Sequence, residues 1–484
     1  MLKGTATIEL TDVKTGKKEI VKHDNMITNA ISDILNTSPF GMHHRAVYDL
    51  NNLLPIVPNL IGGIFLYESP LEEDPSKYYA IQKLTGYSNN AVNSGADPMR
   101  GSMNQTESGK LEDGTGYRFV FDFGTSQGNG DISALGLTSR WAGSCGWGST
   151  LIQSSRFVQL ERVETELVEE YLQARAWICL TTIKDDGYMY AIWPYAKGAS
   201  VYRYRWRYDA LGMFDTVAVH KDRELFKTIS FESFPAAAIS SAGYFSFCDG
   251  GDGYIWGFQH SGNTDGNSSG NATVNWVKIN TDDWTVEEGT WTLAAQIYRF
   301  GYYAVNTSNN TPKRTNHLLV KNGYLYCVKY DKTAIYKINL ENPTDLIEIP
   351  CDGFTVSPAA DQLGATSATS VDYGGCTFNS IGDLVYFTNG YILDDVAYRT
   401  YAPSYSTSNY QGNYGLGGCC APNLRFGPFA FWPGTECWPY KDTASRTATL
   451  ALLTPYLATI NNLETPVTKT ADKTMKITYI LREE

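Results

Sequence analysis

A short phrase recurs in the middle of this chain and limits what the chain can fold into. Lys184-Asp185-Asp186-Gly187-Tyr188-Met189-Tyr190 returns as Gly251-Asp252-Gly253-Tyr254-Ile255-Trp256 and as Lys321-Asn322-Gly323-Tyr324-Leu325-Tyr326. A looser copy is Ile381-Gly382-Asp383-Leu384-Val385-Tyr386-Phe387. Each is a turn followed by a short strand. In the first three the aromatics stand two residues apart, the period at which side chains share one strand face. The third copy runs on through 334–339 and 345–349, the second through 276–280 and 284–286. Strand, turn, strand, turn, strand reads as a small antiparallel sheet. A sheet of that size cannot bury its faces alone, so such units stack radially or in a row.

The bulk of the sequence agrees with an all-β reading. The chain has 484 residues, which sets an expectation of about two to four domains. Its 33 tyrosines, 11 tryptophans and 44 glycines, against 19% charged residues, suit strands and many turns. A net charge of −12 argues against nucleic acid as a partner. No apolar run reaches the roughly 18 residues of a membrane helix, and Met1–Thr5 leads straight into an alternating polar strand, so neither membrane insertion nor a signal peptide is expected. Nine cysteines are scattered without a Cys-x-x-Cys pair, and buried free thiols are the expectation. With six histidines, two of them adjacent, no metal site and no cofactor is expected.

The flanks read differently from the middle. Residues 2–10 and 17–22 form a hairpin pattern, a short helix is expected over 30–35, and 60–67 is a buried strand. Residues 84–116 carry no period and are expected as an exposed excursion. Phe119, Phe121 and Phe123 alternate along one strand face. After the Gly124–Gly130 cluster, Ile132, Leu135 and Leu137 resume, which predicts a paired hairpin. Val158–Ala176 is the one clearly helix-compatible stretch and is expected as a connector or stalk-like linker, with strands as the alternative. At the far end Met475, Ile477, Tyr479 and Leu481 alternate, as a strand lying beside the N-terminal hairpin would.

Three stretches carry a family likeness. The opening Gly4–Leu10 with His23–Ala30, the segment Asp122–Ile132 followed by Leu135–Ser139, and the closing Leu457–Leu463 through Tyr479 resemble tail-associated proteins of bacteriophages of Gram-positive gut bacteria. The repeated phrase is similar to the blades of kelch-type β-propellers, although the copies are unevenly spaced. The resemblance implies a virion protein, a tail fibre, tail-tip or baseplate component, made in the host cytoplasm and carried on the particle. Implied partners are other tail proteins, further copies of the chain and a host cell-surface polysaccharide. The expected fold is all-β: a sandwich-like domain over 1–157, a connector over 158–171, a propeller over 172–455 and terminal strands over 456–484 that return to the first domain. About five to seven blades are expected, with weak ones at 239–247 and 351–371. A series of β-sandwiches is the alternative for the middle.

No motif names a reaction, and the protein is not expected to be an enzyme. No sialidase-type repeat or marked carboxylate pair occurs. Two aromatic surfaces stand out instead. Along 201–208, Tyr202, Tyr204, Trp206 and Tyr208 share one face and Arg203, Arg205 and Arg207 the other. The first face reads either as a platform for sugar rings or as filling between blades. Within 401–440, Tyr405, Tyr410, Tyr414, Phe431, Trp432, Trp438 and Tyr440 lie among Gly, Ser and Asn, the composition of a recognition loop and the preferred binding surface. A long blade connection is the plainer reading. Asp249 and Asp252 could approach calcium but lack an EF-hand's spacing, and an ordinary turn is favoured. The leading function is therefore a tail protein that binds a host glycan. A non-binding decoration or collar protein and a glycan depolymerase are the alternatives.

Overall fold

A computed structural model of the chain describes residues 2–35, 55–80, 82–140, 157–164, 179–181, 188–195, 197–205, 224–232, 245–260, 266–268, 270–306, 311–356, 375–381, 384–387, 391–401, 424–426, 429–432, 447–453 and 455–483. Strands dominate. The first part holds β1 (Leu2–Asp12), β2 (Lys18–Ile27), the helix α1 (Ala30–Leu35), α2 (Ile56–Leu60), β3 (Gly63–Tyr67), β4 (Leu84–Ser88), β5 (Ser102–Met103), β6 (Gly109–Lys110), β7 (Gly116–Phe123) and β8 (Gly130–Thr138).

The middle begins with β9 (Phe157–Glu164). Two four-stranded antiparallel sheets follow in chain order. They are β10 (Cys179–Thr181), β11 (Tyr188–Tyr195), β12 (Gly198–Arg205) and β13 (Glu224–Ser230), then β14 (Phe245–Asp249), β15 (Tyr254–His260), β16 (Ala272–Asn280) and β17 (Val286–Leu293). After β18 (Gly301–Asn306) and β19 (Thr311–Asn316) comes a third: β20 (Leu318–Lys321), β21 (Tyr324–Val328), β22 (Ala334–Asn339) and β23 (Leu346–Pro350). Then β24 (Gly375–Cys376) pairs with β19, and β25 (Phe378–Ile381), β26 (Leu384–Phe387), β27 (Tyr391–Asp394) and β28 (Arg399–Tyr401) make the fourth. The fifth joins β29 (Leu424–Phe426), β30 (Phe429–Trp432) and β31 (Thr447–Leu453) to β9 from the start of the region. The chain closes with β32 (Thr459–Lys469) and β33 (Lys473–Glu483).

The repeated phrase now has a structural meaning. In the second and third copies the turn joins the first and second strands of a four-stranded sheet, and the closing residues of the first and fourth copies, 188–190 and 384–387, lie in the second strands of two others. The first four sheets pack on one another in series through shared apolar layers. Phe245, Phe247 and Ile255 join Ile192 and Val201 in one layer, and Phe258 and Val274 join Leu318, Val320 and Leu325 in the next. Inner strands are linked by polar contacts: Thr181 Oγ1 donates to Asp249, and the Val320 N–H to Cys248 Sγ at 3.3 Å. Residues 245–247, expected as part of a separate weak blade, are the first strand of the second sheet. Within 351–371 only 351–356 are described.

The base is one ten-stranded sheet in the order β4-β3-β8-β32-β2-β1-β33-β7-β5, with β6 also on β7. It curls until nearly closed: Gly101 donates its N–H to the Tyr87 carbonyl at 2.8 Å, drawing the end of β4 to the segment before β5. The C-terminal strand β33 lies between β1 and β7, pairing with β1 along its whole length, from Leu2 opposite Glu483 to Asp12 opposite Lys473, and with β7 from Met475 to Arg482. Its Met475, Ile477, Tyr479 and Leu481 are buried, as their alternation predicts.

Two expectations fail, and a third stretch takes its alternative form. The strands β7 and β8 do not form a hairpin: β7 pairs with β33, β5 and β6, whereas β8 pairs with β3 and β32. Their glycine-rich connection is an arch over the core, because distant strands already occupy both edges. Buried Lys469 ties the arch down, donating to Asn129 Oδ1 at 2.7 Å, and burial holds its amine down at about 8. Residues 84–116 are not an excursion, since buried β4 adds to the sheet and β5 and β6 cover β7. The helix-compatible stretch is strand β9 over Phe157–Glu164, paired with β31; alternation of Val158, Leu160 and Arg162 fits that period as well as a helical one.

Candidate functional site

A cleft of about 330 Å³ opens where the base meets the central sheets. Its base wall is the β3–β4 connection, which contributes Leu71, Glu72, Lys77, Tyr79 and Gln82, and Leu457 and Ile460 lie behind. The facing wall comes from two turns, with Lys321 and Asn322 between β20 and β21 and Asp395 and Val396 between β27 and β28.

Local chemistry fixes each wall. The base connection is pinned by Asn462, whose carboxamide oxygen accepts the Leu71 N–H at 2.8 Å while its amide donates to the Leu71 carbonyl at 2.8 Å. Asp74 closes a turn by accepting from the Ser76 N–H and hydroxyl, and Tyr78 donates to Asp33 at 2.9 Å. Opposite, Asn322 and Gly323 both have positive φ, 51° and 77°, the pair that a tight two-residue hairpin turn requires. Asp394, 1% exposed, accepts the N–H groups of Val396 and Ala397 at 3.2 and 2.8 Å. Arg399 then spans the walls, reaching Asp394 at 3.4 Å and Glu68 at 3.1 Å.

Charges within the cleft are matched. Lys77 binds both oxygens of Glu72 at 2.8 and 2.9 Å. Asp395 accepts from the Tyr326 hydroxyl and lies 3.4 Å from Lys337. Burial and then the Asp395 carboxylate push the Tyr326 phenol upward, so it stays a donor. The Lys337 ammonium sits 4.4 Å from the Tyr324 ring and 5.7 Å from that of Tyr398. Tyr398, in the turn between β27 and β28, is 45% exposed and has a φ of 52°.

Tyr202, the singled-out aromatic residue whose side chain is described, does not line this cleft. Tyr202 is half-buried, packs on the base core and lies 5.6 Å from the Trp193 ring. Tyr204 belongs to β12, and Trp206 and Tyr208 lie outside the described residues. On the opposite face Arg203 pairs with Glu224 and stands over the Tyr188 and Phe226 rings at 4.5 and 5.0 Å. Of the second surface, Phe431 and Trp432 are in β30, while Tyr405, Tyr410, Tyr414, Trp438 and Tyr440 lie outside the described residues. The cleft was hard to read in advance because four distant segments build it; only Asn322-Gly323, inside the repeated phrase, was visible as a turn.

Asp249 and Asp252 serve a turn. Asp249 accepts the Gly251 N–H at 2.9 Å and Asp252 the Tyr254 N–H at 3.1 Å, and burial raises the Asp249 carboxyl. Among the described residues no group of three or more His, Cys, Asp or Glu is placed to hold a metal. Among them Cys179, Cys248, Cys327 and Cys351 form no disulfide.

No family model matches this chain, and no curated protein matches it. Among solved structures it is similar to TolB from Acinetobacter baumannii, at 8% identity over 78% of this chain and 79% of that one, with a TM-score of 0.25. It is also similar to apo AztD from Citrobacter koseri, at 10% identity over 71% and 94% of the two chains, with a TM-score of 0.19. A luciferin-regenerating enzyme matches at 9% identity over 75% and 92%, with a TM-score of 0.20. Scores this low carry no argument about fold or activity.

Proposed function

We propose that this chain is a bacteriophage tail protein, of a tail fibre or tail tip, that displays a β-propeller from an attachment base and binds a host cell-surface glycan. In this reading the base is sandwich-like and the middle is a five-bladed propeller, closed where β9 completes the sheet of β29, β30 and β31. The base docks to neighbouring tail proteins and to further copies of the chain, and the propeller faces outward.

The observation that best supports this division is the connection between the parts. The chain leaves the base from β8 and re-enters it at β32, and these strands are paired neighbours, with Thr138 opposite Leu457 at the exit. A module inserted in this way can vary without disturbing the sheet that carries it. Repeated copies on a particle would turn weak contacts into avid attachment. Binding without catalysis is favoured because the cleft carboxylates are already engaged by lysine and tyrosine.

The test is to apply the purified protein to a printed array of bacterial cell-surface polysaccharides and to incubate it with the same polymers in solution. Saturable binding with no released saccharide is the expected result. Binding to none of them would favour a decoration or collar role, and soluble fragments would favour a depolymerase.

A further inference from the structure

We propose that Asn129, on the arch between β7 and β8, is a modification site: its carboxamide converts to a carboxylate and so supplies the buried Lys469 ammonium with an anion. Nothing in this depends on the glycan or virion reading.

The first observation is the lysine. Lys469 is 1% exposed, and its amine donates to two neutral acceptors, Asn129 Oδ1 at 2.7 Å and the Thr125 carbonyl at 3.5 Å. Among the described residues no carboxylate forms an ion pair with it, and Asp472 is the carboxylate that acts on it through space. Buried lysines are normally paired, because desolvating a charge without a counter-ion is costly. An aspartate at 129 would put a carboxylate oxygen where the amide oxygen now sits.

The second observation is the backbone. The chain carries three Asn-Gly pairs, at Asn129, Asn322 and Asn389. A glycine after asparagine has no Cβ to shield its nitrogen from the asparagine side chain. At Asn129 glycines stand on both sides, Gly128 and Gly130, with φ of 61° and 138°. Asn129 is exposed, so water reaches it. In the conversion the Gly130 nitrogen attacks Asn129 Cγ and a new N–C bond forms. The Cγ–Nδ2 bond breaks, and the Gly130 amide proton leaves with the nitrogen as ammonia. Water then opens the five-membered imide to aspartate or isoaspartate. No oxidant or further reagent is needed.

The third observation joins the first two. Negative charge develops on Oδ1 during the attack, and the Lys469 ammonium already donates to that oxygen. The Thr125 carbonyl accepts from Nδ2, the departing nitrogen, at 2.9 Å. A donor already aimed at a developing oxyanion in a water-poor site accelerates such a step. Asn322 is the internal comparison. It is also exposed and precedes a glycine, but among the described residues no side chain donates to its carboxamide.

The test is to incubate the full-length protein at neutral pH and follow conversion at Asn129 and Asn322 by peptide mapping, folded and in denaturant. In denaturant only the local sequence acts, and the two sites should convert at similar rates. In the folded protein Asn129 should convert about tenfold or more faster than Asn322, and Lys469→Met should remove that excess. Asn129→Asp, which builds the product, should raise the denaturation midpoint. A folded ratio no greater than the denatured one overturns the proposal, whether or not the Lys469 variant folds. An excess that survives Lys469→Met overturns the part given to the ammonium, and a lower midpoint for Asn129→Asp overturns the counter-ion. A peptide in which residues 129 and 469 are cross-linked with loss of ammonia also overturns it, because the amine would then have attacked directly.

Discussion

His317 is fully buried, with its Nδ1 2.7 Å from the Thr377 hydroxyl and its ring edge-on to Tyr298 at 5.4 Å. Burial, then the nearby Arg299 and Lys332, hold its imidazole well below the usual histidine range, so it is neutral when folded. An unfolded chain takes up a proton near pH 6.5 that the folded chain refuses. Stability therefore falls as pH drops below that point, by up to about 1.4 kcal/mol per pH unit for this one group. His317→Gln should flatten the fall in denaturation midpoint between about pH 6.5 and 4.5. Lys469 acts in the opposite range. With its folded value near 8 against an ordinary 10.5, its penalty is fully present below pH 8 and is relieved as pH rises toward 10.5. Replacing it with Met should remove that rise in the stability profile. Neither group was legible in the sequence, where His317 follows a polar run and Lys469 looks like one more exposed strand lysine. What decides their chemistry is which distant segments cover them.

Strand β8 shows what an element can and cannot reveal. Its Ile132, Leu135 and Leu137 were readable as a buried run, because apolar spacing reports burial. Its partners were not, because pairing depends on edges left open by segments hundreds of residues away. Gly136 marks the cost of that packing: a Cβ there would lie 2.2 Å from the Thr459 carbonyl oxygen of β32. Gly136→Ala should destabilise the base by about 1–3 kcal/mol in denaturant titration, since backbone must shift to admit it. Strand β33 is more strongly placed still, with neighbours on both sides. Deleting 473–484 should abolish cooperative unfolding of the base while the central sheets retain their own transition. The four copies of the turn phrase were the most informative signal, since a turn and two aromatics are local. The cleft's wall at Asp395 and Val396 was not, since that turn carries no repeated signature.

At the scale of the whole molecule, β9 changes where the central unit should be cut. A fragment covering 172–455 omits β9 and leaves β31 with an open edge, whereas 157–455 keeps the fifth sheet complete. The longer fragment should melt at a higher temperature and stay monodisperse, and the shorter should aggregate through the exposed strand. Equal behaviour of the two would show that β9 contributes little to closure. The overall all-β layout, with flanks unlike the middle, was legible from composition and repeats, but the curl of the base was not, because it depends on one non-local bond set around Tyr87. The paired exits at β8 and β32 carry one more consequence, and it is mechanical. If the distal unit is held and the base pulled away, both connections draw along the strand axes. Hydrogen bonds from β8 to β3 and from β32 to β2 are then loaded in shear and share the force, in place of opening one at a time as in peeling. A molecule joined this way is suited to holding on under drag.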